Sequence, residues 1–315
     1  MSEVKMVATR AGFGAALKEL GAKRDDFVVL DADLAAATQT GAFKKEFPER
    51  FYNCGIAEQN MVSIAAGIAA TGKKVVCSSF AMFAAGRAFE QVRNSVGYPH
   101  LNVIIGATHA GISVGEDGAT HQCNEDIALM RTIPGMTIIN PADEVEARLA
   151  VKAALDHNGP VYMRFGRLAV PVIFGEDYKF QIGKGVELKE GSDVTIVATG
   201  LMVNEALQAH EMLKAEGISA KVINIATIKP LDTEIIIKAA KETGAIVTAE
   251  EHSVIGGLGS AVAECLAEEY PVPVVKLGVN DEFGHSGPAV KLLDEFGLRA
   301  VNIAEKVKKA ISLKE

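Results

Sequence analysis

The chain has 315 residues, of which 49% are hydrophobic and 23% are charged, and its formal net charge is −8. This composition is typical of a globular protein with two domains, and no lysine- or arginine-rich run indicates a nucleic-acid-binding surface. Four widely spaced cysteines without a Cys-x-x-Cys pair argue against a disulfide framework or a zinc site. Neither a signal-peptide core nor an apolar stretch of membrane length is evident, so we expect a cytoplasmic protein without a membrane partner.

Apolar, strand-like runs alternate with helix-like segments through the first half of the chain. In chain order the pattern predicts a helix at 9–20, a strand at 27–30, a helix at 57–70, a strand at 74–78, a helix at 85–96, a strand at 101–105, a short helix at 125–131, a strand at 136–139, a helix from Asp143 to near Gly159, and a strand at 161–164. Such alternation predicts a parallel sheet covered by helices on both faces.

Residues 171–191 lack a helical period and read as a linker with a short hairpin or edge segment. Alternation then resumes, with strands predicted at 194–198, 220–225, 246–249 and 272–277, helices at 203–215, 232–243 and from 261, and two closing helices. The Gly-Gly-Leu-Gly-Ser turn at 256–260 is a weak dinucleotide signal, and a close-packed turn is favoured. The fold class is therefore α/β, with two domains (1–170 and 192–315), each a mostly parallel sheet flanked by helices.

A glycine-rich loop at 106–122 follows the buried strand predicted at 101–105. It carries His109, Glu116, Asp117 and His121, and such loops at strand ends bind ligands in open α/β sheets. Their spacing matches no usual metal-ligand pattern, so proton transfer and hydroxyl recognition are favoured. Cys123 as a nucleophile is disfavoured, because nothing in the sequence lowers the pKa of its thiol.

Five further residues are candidates, each with a plainer alternative. Glu58 begins an Ala/Gly-rich helix, where it is either a proton-holding buried carboxylate or a glutamate favoured by the helix dipole. Phe80 and Phe83 follow a strand end, where they stack on a flat heterocycle or pack in the core. Arg10 and Arg164 lie at element boundaries, where they bind phosphate or remain ordinary surface arginines.

Taken together, the motifs GIAEQNM, SSFAMF, THAGISVGEDGATHQ and MRFGR resemble the pyrimidine-binding half of a transketolase. The motifs IKPLD and EEHSVIGGLGSAV resemble the C-terminal domain of that family. The Gly-Asp-Gly motif of the family's diphosphate-binding domain is not found. The resemblance therefore implies the C-terminal subunit of a split transketolase, inactive alone. It implies pairing with an N-terminal subunit in a heterotetramer, in which that partner mainly binds the Mg²⁺ or Ca²⁺ ion.

The resemblance also implies an activity, the transfer of a two-carbon ketol unit from a ketose phosphate to an aldose phosphate with thiamine diphosphate. Glu58 matches the glutamate that hydrogen-bonds the aminopyrimidine and starts catalysis. The other implied roles are pyrimidine contact for Phe80 and Phe83, sugar hydroxyl recognition and proton transfer for His109 and His121, hydroxyl recognition for Asp117, and binding of the sugar phosphate for Arg10 and Arg164.

Three positions depart from the family pattern. Asp31 replaces a phosphate-contacting serine and would repel phosphate, Ala110 replaces an aspartate, and residues 57–59 read Ala-Glu-Gln instead of Arg-Glu-His. Alternatives are a 1-deoxy-D-xylulose-5-phosphate synthase-like chain, a 2-oxo-acid dehydrogenase β subunit, or a non-catalytic partner subunit. His109 favours transketolase over the synthase, GEDGATHQ argues against the dehydrogenase, and intact Glu58 argues against a non-catalytic chain.

Overall fold

The computed structural model describes residues 5–175 and 177–314. The strands of the first half are β1 (Met6–Ala8), β2 (Phe27–Asp31), β3 (Phe51–Asn53), β4 (Lys74–Phe80), β5 (Val103–Thr108), β6 (Thr137–Ile139), β7 (Val161–Phe165) and β8 (Ala169–Pro171). The helices of the first half are α1 (Thr9–Lys23), α2 (Ala35–Thr38), α3 (Gly41–Glu46), α4 (Glu58–Ala70), α5 (Phe89–Gln91), α6 (Asp126–Arg131) and α7 (Glu144–Asp156).

The second half continues the alternation. Its strands are β9 (Val186–Lys189), β10 (Val194–Ala198), β11 (Ala220–Asn224), β12 (Thr227–Lys229), β13 (Ile246–Ser253) and β14 (Val274–Val279). Its helices are α8 (Met202–Ala215), α9 (Thr233–Thr243), α10 (Leu258–Glu269), α11 (Ala289–Glu295) and α12 (Ala300–Ser312). None of the helices in the described residues is long and apolar enough to cross a membrane.

Both predicted domains are built on mostly parallel sheets, which confirms the α/β class. The first sheet has the order β12-β6-β7-β5-β4-β2-β3, and only β12 is antiparallel to its neighbour. Every residue of β2, β5 and β7 is buried, as expected for strands covered on both faces. The second sheet has the order β14-β13-β10-β11-β9, with β9 antiparallel at one edge.

The two domains share a sheet, which the predicted boundaries did not anticipate. Strand β12 lies beyond residue 191, yet it pairs with β6 of the first sheet (Thr227 opposite Ile139). Of the two structures predicted for 171–191, a hairpin or an edge segment, the described residues show the edge segment, because β9 pairs with β11 at the edge of the second sheet and β8 pairs with β1.

Two local predictions around the glycine-rich loop need correction. The helix predicted at 85–96 is a helical stretch in which wider π turns (Met82–Arg87 and Val92–Gly97) flank α5. The loop predicted from Gly106 begins three residues later, because Gly106 to Thr108 continue β5, and it contains a 3₁₀ turn at Ile112–Val114. We refer below to residues 109–122 as the site loop.

Candidate active site

The Glu58 carboxylate lies at the C-terminal ends of the strands of the first sheet. Glu58 is the first residue of α4 and belongs to its buried face. Its side chain is only 1% exposed, in helical register with buried Met61, Val62 and Ala65, because residues three, four and seven apart share one helix face. Ser79 Oγ, at the end of β4, donates to Glu58 Oε1 (3.2 Å).

The second carboxylate oxygen of Glu58 faces Arg87. The Arg87 guanidinium donates to Glu58 Oε2 (2.7 Å) and lies 4.4 Å from the centroid of the Phe83 ring. The π turn Met82–Arg87 carries both side chains. Arg87 is 43% exposed. The buried Glu58 carboxylate is therefore paired with a guanidinium that is itself in contact with solvent.

Aromatic rings form one wall of the site beside Glu58. Phe80 stacks on His109 with ring centroids 3.8 Å apart, and Phe83 lies 6.1 Å from Phe80 in a nearly parallel orientation. The ring of His121 meets Phe83 edge-on at 5.2 Å. Four of the predicted residues are therefore brought together around one apolar surface.

Hydrogen bonds fix the proton position on His109. Arg10 donates from Nη1 toward His109 Nε2 (3.1 Å), and Thr108 Oγ1 lies 2.9 Å from His109 Nδ1. Because a guanidinium can only donate, Nε2 must be the acceptor and the proton lies on Nδ1. Burial, and then the positive charges of Arg10 and Arg167, lower the pKa of His109 to about 3, so the ring is neutral near pH 7.

The buried, neutral state of His109 should make the protein less stable in acid. Its pKa in the folded state is about 3, below the ordinary value of 6.5. As the pH falls from about 6.5 toward 3, His109 therefore binds a proton in the unfolded chain but not in the folded one. Between about pH 7.5 and about pH 5, the wild-type free energy of unfolding should fall by about 2 kcal/mol more than that of His109→Gln. Urea unfolding at both pH values measures this difference, and equal losses would show that His109 titrates normally.

Asp117 and His121 occupy the far part of the site loop. Asp117 is exposed, with Oδ2 3.9 Å from Arg167 Nη1. His121 is half-buried, and its Nδ1 lies 2.9 Å from Thr120 Oγ1. Asp117 therefore lies at the rim of the site, whereas His121 faces the aromatic wall.

Arg164 does not lie in the cleft between the aromatic wall and the site loop, contrary to its predicted role in phosphate binding. It is 4% exposed, and its Nε donates to both carboxylate oxygens of Asp126 (2.9 and 3.2 Å). Its Nη2 donates to the backbone carbonyl of Glu251 (2.8 Å). Tyr162 also donates to Asp126 (2.8 Å). The guanidinium is therefore committed to a buried network between the two domains.

Arg167 occupies the position at the cleft that was assigned to Arg164. It lies two residues beyond the end of β7 and is 39% exposed, and its Nη1 donates to the Val114 carbonyl (2.6 Å). Burial and the charge of Arg167 lower the pKa of Arg10, so the two guanidiniums lie close enough to repel each other. Ligand-binding side chains tend to follow a strand end rather than lie within the strand, and the structure extends β7 to Phe165, one residue beyond the predicted end.

Asp31 also differs from its expected role, because its carboxylate does not face the cleft. It is fully buried and accepts hydrogen bonds from the Leu34 N–H (2.6 Å), Thr38 Oγ1 (2.7 Å) and Thr40 Oγ1 (2.9 Å). The predicted repulsion of phosphate by Asp31 therefore loses its basis. Instead, Asp31 organises the turn whose Ala37 carbonyl accepts from Arg10 (2.8 Å).

Two weaker motifs are explained by packing. Cys123 is buried, and burial raises the pKa of its thiol well above the ordinary value, so a thiolate nucleophile is disfavoured. The segment 256–260 runs into α10, which begins at Leu258, and the Glu250 carboxylate already accepts from the N–H groups of Leu258 (2.7 Å) and Gly259 (2.8 Å). A carboxylate of the protein thus fills the place that a phosphate would take.

The fold and the site define an α/β protein in which a buried glutamate is paired with an arginine that lies over an aromatic wall. A family profile described as "Transketolase, pyrimidine binding domain" matches residues 5–172, and one described as "Transketolase, C-terminal domain" matches residues 183–303. The chain belongs to the transketolase family.

Individual relatives agree with this family. The chain is 53% identical to a "Putative transketolase C-terminal section" of Methanocaldococcus jannaschii, over 95% of this chain and 94% of that one. It is 47% identical to the "6-deoxy-6-sulfo-D-fructose transketolase subunit SqwH" of Clostridium sp., over 91% and 89%. The solved structure "Split gene transketolase, inactive beta4 tetramer" superposes with a TM-score of 0.91 at 54% identity, covering 99% of this chain and 100% of that one.

Proposed function

We propose that this chain is the C-terminal subunit of a two-subunit transketolase that moves a two-carbon ketol unit from a ketose phosphate to an aldose phosphate. The observation that carries the proposal is the buried Glu58 carboxylate, held by Ser79 and by Arg87, whose guanidinium lies over the Phe83 ring beside Phe80. A carboxylate and two aromatic faces fit the aminopyrimidine of thiamine diphosphate. When bound, that cofactor supplies the carbon nucleophile that the side chains of a protein lack.

Each site residue then takes a role that its surroundings support. Glu58 exchanges a proton with the aminopyrimidine, and Phe80 and Phe83 orient the ring. His109, neutral and with its proton on Nδ1, offers Nε2 as an acceptor to a sugar hydroxyl once Arg10 turns to the substrate. His121, which meets the Phe83 ring edge-on, binds a second sugar hydroxyl and takes part in proton transfer.

Substrate binding at the rim combines opposite charges. Asp117 offers acceptor oxygens to sugar hydroxyls. We assign the phosphate to Arg10 and Arg167, because both are partly exposed guanidiniums held at the site loop, Arg10 by His109 and Arg167 by the Val114 carbonyl. Arg164 has no part in this assignment, since its guanidinium is paired with Asp126 in the core.

The diphosphate and the metal belong, in this proposal, to a partner chain. Among residues 5–175 and 177–314, no three His, Cys, Asp or Glu side chains cluster closely enough to hold a metal ion. A close relative is named a C-terminal section, and the similar solved chain is an inactive tetramer. We therefore propose an N-terminal subunit that binds the diphosphate with Mg²⁺ or Ca²⁺, a heterotetrameric complex, and a cytoplasmic location, where the four free thiols stay reduced.

The test uses the native complex. The tagged chain is isolated from its own cells, its bound partner is identified by mass spectrometry, and the complex is supplied with thiamine diphosphate and Mg²⁺. We expect turnover of xylulose 5-phosphate with an aldose phosphate acceptor, and none by the chain alone. Turnover by the chain alone would refute the split enzyme, and a preference for pyruvate would indicate a synthase- or dehydrogenase-like chain. An intact complex without turnover would indicate a non-catalytic subunit.

A further inference from the structure

The second domain encloses the site loop (residues 109–122). The Ser113 N–H donates to the Glu251 carboxylate (2.6 Å). Ile112 is fully buried and packs in the hydrophobic core of the second domain. The loop therefore rests on a surface supplied by β13 and its neighbours, although its substrate-facing side chains belong to the first domain.

Glu251 is itself firmly held in the interface between the two domains. It lies on β13 and is 3% exposed. Its backbone carbonyl accepts from Arg164 Nη2 (2.8 Å), which ties β13 to Asp126 of the first domain. The side chain thus reaches the loop from a strand whose position relative to the first domain is fixed.

The backbone of the loop needs such support because one of its residues adopts a costly conformation. His109 has φ 56°, which is unfavourable for a non-glycine residue unless its surroundings hold it there, whereas Gly111 adopts φ 82° without that penalty. A Cβ at Gly111 would collide with the Glu251 carboxylate. Glycine therefore permits the close approach, and the carboxylate determines how far the loop can move toward the second domain.

We propose that Glu251 is a positioning residue of the active site: it holds the site loop through Ser113 and thereby sets the placement of His109 and His121. The inference rests on the proposed function only for the statement that these histidines contact the sugar. Its structural part, that the Glu251 side chain orders the part of the loop around Ser113, stands independently of the reaction.

The first measurement is hydrogen exchange of the free chain, read by mass spectrometry. Glu251→Ala should speed exchange in peptides covering 109–118 by at least about tenfold, while β4 stays protected. The matched control is Glu250→Ala. Glu250 is also buried, but its side chain lies on the opposite face of β13 and contacts the start of α10. It should lower the melting temperature and leave 109–118 unchanged. Unchanged exchange in Glu251→Ala, or the same increase in both variants, would overturn the proposal.

The second measurement uses the complex with its partner subunit. Glu251→Ala should raise the KM for the ketose phosphate roughly tenfold, whereas the Kd for thiamine diphosphate should stay within roughly twofold, because Glu58 does not touch the loop backbone. Glu251→Gln keeps an acceptor oxygen and should restore most of the KM. Equal losses of cofactor and substrate binding would indicate a merely structural residue. A wild-type complex without ketose turnover refutes the proposed function, and hydrogen exchange then still decides the role of Glu251.

Discussion

Replacing Glu58 with glutamine should lower the kcat of the assembled enzyme by about 10²- to 10⁴-fold. Glutamine keeps the length of the side chain and one acceptor oxygen for Ser79 Oγ, but it carries no negative charge and cannot hold a proton for transfer. The position itself is rigid, since the side chain is 1% exposed at the start of α4. Steady-state turnover of a ketose phosphate by the complex, saturated with thiamine diphosphate and Mg²⁺, measures the effect.

A matched control separates chemistry from stability. Glu146 is also fully buried in the first domain, where it accepts from the Ala142 N–H (2.7 Å) and Tyr178 Oη (2.6 Å). Burial raises the pKa of Glu146 to about 7, so glutamine mimics its protonated form. Glu146→Gln should leave kcat within roughly twofold, as expected for a change remote from the reacting groups. Full turnover by Glu58→Gln would support the non-catalytic alternative.

The second large effect is on stability. Arg164→Leu should lower the free energy of unfolding by about 3–5 kcal/mol, because it leaves the carboxylate of Asp126 buried and short of a positive partner. Asp126 is 0% exposed, and Tyr162 remains its only other side-chain donor among the described residues. Urea unfolding at neutral pH measures the loss, which should appear without the partner subunit.

The double variant and a neighbouring arginine provide the controls. Asp126→Leu combined with Arg164→Leu should recover part of the loss, since Asp126 no longer leaves an unpaired charge, whereas Glu251 still lacks the positive charge of Arg164 and Tyr162 lacks its acceptor. Arg167→Ala removes a partly exposed guanidinium, so it should change stability by less than about 1 kcal/mol and instead raise the KM for the sugar phosphate. If Arg164→Leu kept full stability and raised that KM, the phosphate would have to be reassigned to Arg164.

The sequence predicted best what depends on periodicity. The alternation of apolar runs and helices predicted both parallel sheets, and the helix predicted at 57–70 is α4, which buries Glu58. The glycine-rich loop could likewise be located, although β5 runs three residues into it. These features are local, so a single segment contains the information.

What the sequence could not supply is the direction of individual side chains. Arg164 and Arg167 lie three residues apart, and only the exact end of β7 decides which one reaches the cleft. Asp31 looks like a charge facing phosphate until Thr38 and Thr40 are seen to fold back onto it. The motif that contains Glu251 gave no sign of its contact with the site loop, because Glu251 lies 138 residues from Ser113 in the chain.

Strand β12 of the second domain belongs to the sheet of the first domain, and this limits how the chain can be divided. A fragment ending near residue 170 would lose β12 and leave the backbone groups of β6 unpaired at an open edge, where strands from other molecules add and aggregate. A fragment beginning near residue 192 would carry β12 without a sheet to join. A protease cut in the intervening segment should therefore leave two pieces that stay associated, and the halves should melt together in one transition.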